Sequence, residues 1–289
     1  MGLCLMANIL DGLVLGLQFG LLATGLTLVY GLGGVLNLAY GQMAVTSAMM
    51  VTLAMDAGVP ALPAAGIGLL GGGLLGLFLD QTILRPVYRL HDEPRVLLSL
   101  LLTLGASFIV DGFLIWRYPL KALTLHIAGG AVEILGVPMR RGSLVASAIT
   151  LITFAGLFVF LQRTTLGRAV RSVIEDEEGA RLVGIYPDRM LRLILVLSGV
   201  LAALVAITRS MVTPVNTTSG LSITVFALIV TVVGGLGSVA GALLAGMILG
   251  IVSVVAADFI GSYISLIILL VAAAVTILIR PAGLLGVKE

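Results

Sequence analysis

Charged residues are scarce in this sequence: Asp, Glu, Lys and Arg make up 10% of its 289 residues, against 60% hydrophobic residues. A soluble domain carries about 25% charged residues, so the shortage excludes a soluble fold, which could not hide this much apolar surface. Cysteine is reduced to Cys4, which rules out an intrachain disulfide and a cysteine metal cluster. The two histidines, His91 and His126, stand alone in polar connections and no H-E-x-x-H is present, so hydrolytic metal chemistry has no ligand set. Lysine occurs only as Lys121 and Lys288, neither within a G-x-x-x-x-G-K-S/T phosphate loop, and the chain cannot hydrolyse ATP by itself. No catalytic residue, metal or cofactor is assigned. The formal charge of +2 does not point to nucleic acid, because the basic residues are scattered between apolar runs and not gathered on a face.

Apolar runs fill the rest. They extend from about Ile9 to Leu32, Val35 to Met55, Ala61 to Leu84, Val96 to Trp116, Ser143 to Leu161, Leu191 to Val212, Ile223 to Ala257 and Tyr263 to Ile279. A hydrocarbon core of about 30 Å takes roughly 20 residues of helix, so every run but the seventh matches one crossing. No Lys or Arg precedes the first run, which is too long for a cleavable signal and reads as a retained span. The expectation is an all-α, polytopic transmembrane helix bundle of about eight membrane segments, forming a single transmembrane domain over residues 1–289.

Two of the runs are interrupted by glycine. Gly234-Gly235-Leu236-Gly237-Ser238-Val239-Ala240-Gly241 splits the seventh, which reads as a broken helix pair, and Tyr30 to Gly41 interrupts the first apolar region. Non-helical backbone at membrane depth survives only inside protein or beside a cavity, because lipid cannot satisfy free N–H and C=O groups. Paired interruptions in two halves point to an internal repeat with a solute path at its interface. Asn37, Tyr40, Gln42, Thr46 and Ser47 cluster around the first break, and Gly234, Gly235 and Gly237 form the second. The uncharged five suit a path for a zwitterion with an apolar side chain, and equally suit hydrogen-bonded glue between helices. Gly235 to Ala240 also fits the G-x-G-x-x-A dinucleotide fingerprint, which is excluded because no strand or βαβ unit fits within a membrane segment.

Eleven of the 16 basic residues fall in three segments: Arg85, Arg89 and Arg95; Arg163, Arg168, Arg171, Arg181, Arg189 and Arg192; and Arg280 with Lys288. The positive-inside trend places these segments in the cytoplasm. Residues 163–190 are then a cytoplasmic loop, the Ile223 to Ala257 region starts and finishes outside as two legs, and parity puts the N-terminus outside. One cost is that the connection from Arg117 to Gly142 becomes external although it carries four basic residues. Asp11, Asp56, Asp80, Asp111, Arg209 and Asp258 lie near or within spans, mostly toward helix ends where snorkelling accounts for them. No charge stands clearly at mid-depth, as proton-coupled transport would require.

The stretch Leu166 to Ile185 alternates Arg and acidic blocks with aliphatic residues at spacings that suit one or two short amphipathic helices. A helix resting on lipid headgroups would look similar. Ala180 and Gly184, an i and i+4 pair of small residues, favour close approach by a protein partner. Together with Gly25-Leu26-Thr27-Leu28-Val29-Tyr30-Gly31, Leu36-Asn37-Leu38-Ala39-Tyr40-Gly41-Gln42, Gly234 to Gly246 and the terminal Arg280-Pro281-Ala282-Gly283-Leu284-Leu285-Gly286, this stretch resembles the permeases of branched-chain amino acid ATP-binding cassette importers, in particular the first of the two paralogous permeases of such systems.

The resemblance covers nearly the whole chain. It implies a multi-pass inner-membrane permease that translocates branched-chain or related amino acids. The implied partners are a second homologous permease, two cytoplasmic ATPase subunits, an external solute-binding protein and the lipid bilayer. It also implies ATPase coupling through Arg168, Arg171, Glu175, Asp176, Glu177, Ala180, Arg181 and Gly184. Thr46-Ser47-Ala48-Met49 replaces the Gly-Ala-Tyr type of sequence expected after the first break, a departure that bears on the substrate more than on the architecture. The alternative is an ion-coupled secondary transporter of a small polar solute, which also uses repeats and broken helices. A membrane enzyme would need a nucleophile and base facing one cavity, and no such pair stands out.

Overall fold

A computed structural model describes residues 2–90, 92–127, 130–134, 137–280 and 283–286. His91, Pro281, Ala282 and Lys288, named above, lie outside the described residues. The helices are α1 (Gly2–Gly33), α2 (Tyr40–Asp56), α3 (Ala61–Leu79, extended by a π turn over Asp80–Leu84), α4 (Asp92–Arg117), α5 (Arg141–Arg163), α6 (Thr165–Glu175), α7 (Glu177–Leu182), α8 (Pro187–Ser210), α9 (Gly220–Gly234), α10 (Val239–Ile260) and α11 (Ser262–Ile279). Among the described residues four very short strands, β1 (Ala122–Leu123), β2 (Val132–Ile134), β3 (Val137–Met139) and β4 (Val215–Asn216), pair antiparallel as β1 with β4 and β2 with β3. Among the described residues seven helices are long and apolar enough to cross a membrane, and Ile264–Ile279 is a shorter apolar helix. The seventh apolar run is divided into α9 and α10, as its glycines predict.

Contacts define two ends of the bundle. At one end Gly33 meets the Leu191 side chain, Arg95 reaches Glu177, and the N–H of Leu284 donates to the carbonyl of Val233. At the other, Lys121 pairs with Asp56, Asn8 donates to Asp258, Gly142 lies against the Met211 carbonyl, and β1 pairs with β4. The Arg-rich segments gather at the first end. Of the four basic residues in the connection between α4 and α5, Lys121 gains a carboxylate and Arg117 lies 5.0 Å from the Tyr118 ring centroid.

Helix packing rests on glycine, because apolar side chains gain little by leaving lipid for one another and close backbone approach brings the dispersion contacts. α1 and α10 run antiparallel along most of their length. A Cβ added at Gly12 would lie 2.7 Å from Ile251 Cα, and one at Gly16 would lie 2.7 Å from Met247 Cα; Gly246 and Gly250 face Gly20 and Gly16 in return. α3 and α8 meet in the same way through Gly72 against Gly199 and Gly76 against the Leu195 carbonyl. α1 is 89% buried over its membrane window whereas α4 and α5 are each 22% buried, so α1 is the axis and the other two form flanks.

Replacing Gly16 or Gly250 with Val forces the α1 and α10 backbones apart. Overpacking typically costs 1–3 kcal/mol, and here the obstacle is main chain, so a loss of about 3 kcal/mol or more is expected in thermal unfolding of the detergent-purified protein. Gly105→Val, at a position with open space around it, is expected to leave the midpoint unchanged.

Candidate functional site

The first break, residues 34–39, joins α1 to α2, and side chains from two helices and from the break itself satisfy its backbone. The N–H of Leu36 donates to Ser99 Oγ (3.3 Å) and that of Leu38 to Thr103 Oγ1 (3.0 Å), both on α4. Asn37, fully buried, turns its Oδ1 to the N–H of Ala39 (3.0 Å). Thr224 of α9 bridges the gap: its hydroxyl accepts from the N–H of Gly41 (2.9 Å) and lies 3.2 Å from the Leu38 carbonyl. The second break, between α9 and α10, packs against the first half of the chain. A Cβ on Gly31 would lie 2.8 Å from Gly237 Cα, and Gly235 and Gly237 have φ of 105° and 88°, in the region only glycine adopts readily. Gly234 is held against Gly241, whose N–H is capped by Ser238 Oγ at 3.0 Å.

The five polar residues expected around the first break are therefore brought together, though not in one role. Tyr40 is fully buried against Gly25, Ser47 donates to its own helix at the Met43 carbonyl, and Asn37 serves the turn. Gln42 reaches across to α4, donating to Asp111 Oδ1 at 3.0 Å while its own Oε1 is buried without a partner. Thr46 is half-buried. Gln42 and Thr46 line a cavity of about 90 Å³ whose other walls include Leu75, Phe78, Ala106 and Val110 of α3 and α4. One amide and one hydroxyl thus face a surround of aliphatic side chains and Phe78.

At the Arg-rich end Thr164 caps α6 by accepting from the N–H of Gly167 (2.9 Å), and Asp176 caps α7 by accepting from the N–H of Gly179 (2.9 Å). α6 turns Gly167, Val170 and Val173 onto the bundle and leaves Arg168, Arg171 and Glu175 exposed, together with Asp176 after it. Ala180 and Gly184 do not share a free face: Ala180 is 4% exposed and packs on the bundle, while α7 ends at Leu182 and Gly184 takes φ 84° in the turn beyond. Ala180 thus seats α7 on its own chain, and Gly184 is required by a left-handed backbone. What α7 presents outward is Glu178 and Arg181, with Leu182 (89% exposed) and, just beyond it, Val183 (75% exposed).

Beneath α7 lies a polar chain. Glu177 holds Arg181 at 2.8 Å and approaches Arg95 of α4 at 3.9 Å. Arg95 is stacked 5.6 Å from the Tyr88 ring centroid, Tyr88 donates to Asp80 at 3.2 Å, and Asp80 accepts from Arg192 of α8 at 3.2 Å. Burial, followed by the Asp80 carboxylate, pushes the Tyr88 phenol well up, so it remains a neutral donor. Asp80 does not snorkel as its place near a helix end suggests; it is buried and paired, and the π turn in which it sits aims it inward. Arg95, Arg192 and Asp111 escape sequence reasoning because each lies far along the chain from its partner, Glu177, Asp80 and Gln42 respectively; the exposed Leu182-Val183 pair beside a glycine is a signal that the sequence does carry.

Residues 8–279 match the family model described as branched-chain amino acid transport system / permease component. The chain is similar to the high-affinity branched-chain amino acid transport system permease protein BraD of Pseudomonas aeruginosa, 27% identical over 98% of this chain and 96% of that protein. It is similar to LivH of Escherichia coli K12, with the same descriptive name, at 26% identity over 96% of this chain and 94% of that protein. Among solved structures it has a likeness to PsaBC from Streptococcus pneumoniae in complex with Fab, with a TM-score of 0.49 and 15% identity over 93% of this chain and 89% of that one.

The Asp80–Arg192 pair is asymmetric, because Asp80 is 5% and Arg192 45% exposed. Arg192→Ala strands a buried carboxylate, a loss on the order of 3 kcal/mol, whereas Asp80→Asn keeps a neutral partner for Tyr88 and frees Arg192 to water. Thermal unfolding in detergent is expected to rank Arg192→Ala below Asp80→Asn, with the double variant more stable than Arg192→Ala alone.

Proposed function

The chain belongs to the family of branched-chain amino acid transport permease components, and from that premise we infer that it is the membrane-spanning permease subunit of an ATP-binding cassette importer for branched-chain or related amino acids. It works in the bacterial inner membrane with the Arg-rich end in the cytoplasm, the orientation favoured by the positive-inside trend. Its partners are an external solute-binding protein, two ATPase subunits and a second, homologous permease. It does no chemistry on the solute.

The observation that carries this reading is the α6–α7 pair. It stands outside the bundle, docked by Val170, Val173 and Ala180, and it exposes Arg168, Arg171 and Arg181 beside Glu175, Asp176 and Glu178, with Leu182 and Val183 its most exposed aliphatic side chains. A chain without a phosphate loop needs a motor from elsewhere, and exposed Leu182 and Val183 beside Arg181 offer the apolar centre and charged rim of a protein interface. Arg168, Arg171, Glu175 and Asp176 belong to the same docking region. Force applied to α7 reaches α4 through Glu177 and Arg95, and α4 holds both the first break, through Ser99 and Thr103, and Gln42, through Asp111. Movement of α4 then opens or closes the space around Gln42 and Thr46, with Asn37, Tyr40, Ser47, Gly234, Gly235 and Gly237 forming its supporting frame.

One observation favours ion-coupled transport as a second reading: Asp111 is a half-buried carboxylate within α4, hydrogen-bonded to a residue of the broken region. Proton or cation coupling requires that carboxylate, whereas ATP-driven transport needs only the hydrogen bond. Asp111→Asn is therefore expected to retain ATP-dependent uptake in reconstituted vesicles within about threefold, a barrier change below 1 kcal/mol; complete loss of uptake with normal ATPase assembly favours ion coupling.

Leu182→Asp combined with Val183→Asp is expected to lower co-purification of the phosphate-loop partner at least tenfold, about 1.4 kcal/mol, with membrane insertion and thermal midpoint unchanged. Unaltered co-purification removes the docking assignment.

A further inference from the structure

The connection between α4 and α5 places basic residues at the end of the bundle where the positive-inside trend leaves few, and the transport reading gives them no task. Lys121 and Arg117 are accounted for by Asp56 and Tyr118. Arg140 and Arg141 are not: both are exposed, and among the described residues neither forms a salt bridge. They line a cavity of about 330 Å³ together with His126, and Leu125, Met211 and Val212 contribute an apolar wall. No Asp or Glu among the described residues lines it.

The walls are held in place. The β1–β4 pair ties the connection to the segment after α8, the N–H of Leu125 donates to the Ser210 carbonyl at 3.0 Å, and Gly142 lies directly against the Met211 carbonyl. A volume of this size is at the lower end of small-ligand pockets, about 300–1,000 Å³. Neighbouring cations without a counter-charge repel one another and raise the local concentration of anions. A guanidinium meets a carboxylate through two parallel hydrogen bonds, and the aliphatic wall suits a short branched hydrocarbon.

We propose that this cavity is an entrance site for small aliphatic carboxylates, branched-chain amino acids among them. Arg140 and Arg141 hold the carboxylate, and the hydrocarbon lies against Leu125, Met211 and Val212. The choice of amino acids rests on the transport reading above; the preference for a carboxylate on an aliphatic body does not.

The test uses the purified chain in lipid nanodiscs, with leucine, 4-methyl-2-oxopentanoate and leucinamide as probes in saturation-transfer NMR titrations. Leucine and the oxo acid are expected to bind, and leucinamide, which lacks the carboxylate, roughly tenfold more weakly. The variant Arg140→Gln/Arg141→Gln is expected to lose roughly tenfold in affinity for both carboxylates while its thermal midpoint is retained, and Met211→Glu is expected to weaken them as well. Equal binding of leucinamide, unchanged affinity in the double arginine variant, or no saturable binding to the wild-type chain overturns the proposal. So does loss of contact with the solute-binding protein in that variant while small carboxylates bind as before, which assigns the arginines to an acidic protein surface. If carboxylates bind as expected but the wild-type assembly moves no amino acid, the transport reading fails and the site stands.

Discussion

Backbone that leaves the helix inside a membrane must find its hydrogen bonds in the protein, and the rest of this structure depends on how two such interruptions are satisfied. The first is bridged by Thr224 from α9, Ser99 and Thr103 from α4 and Asn37 from within. The second is held against the first half of the chain through the contact between Gly31 and Gly237. Removing these interactions would leave several amides and carbonyls bare in an apolar surround, where each costs several kcal/mol. The same interactions join helices that are distant in sequence, so the polar interior and the helix arrangement have one cause.

The interactions fall into two mechanical classes. α1 with α10, and α3 with α8, are locked by glycine backbones in contact, which tolerate little sliding. α4 is mostly uncovered and meets the break, α2 and α7 through hydroxyls, one carboxylate and one guanidinium. Such contacts can break and re-form one at a time, while a glycine seam must separate as a whole. A rigid frame with one loosely held helix between the proposed motor-docking segment and the broken region is what a mechanically driven permease requires.

Much of this was legible in the sequence. The long apolar runs, the glycine-rich break after Thr231 and the capped amphipathic stretch after Thr164 appear where periodicity and composition put them, because in a membrane the local hydrogen-bond requirement dominates. Legibility fails where the deciding partner is remote. Asp80 reads as a residue near a helix end, and only the arrival of Arg192 from α8 makes it a buried pair. Ala180 and Gly184 read as one face of small residues, but the helix stops between them, so one faces the bundle and the other makes a turn. The cavity beside Gln42 could not be read at all, since α3 and α4 supply most of its wall.

The central claim is that the space beside Gln42 and Thr46 is part of the solute path and that an external motor alternates its access. The most direct measurement places a single thiol at position 46 in a Cys4→Ser background and labels it, in the assembled transporter in proteoliposomes, with a membrane-impermeant reagent added from either side. The account predicts labelling from one side in the nucleotide-free state and from the other with ATP bound. A thiol at 46 that is labelled from neither side in either state, while one at Asp56 reacts readily, contradicts it.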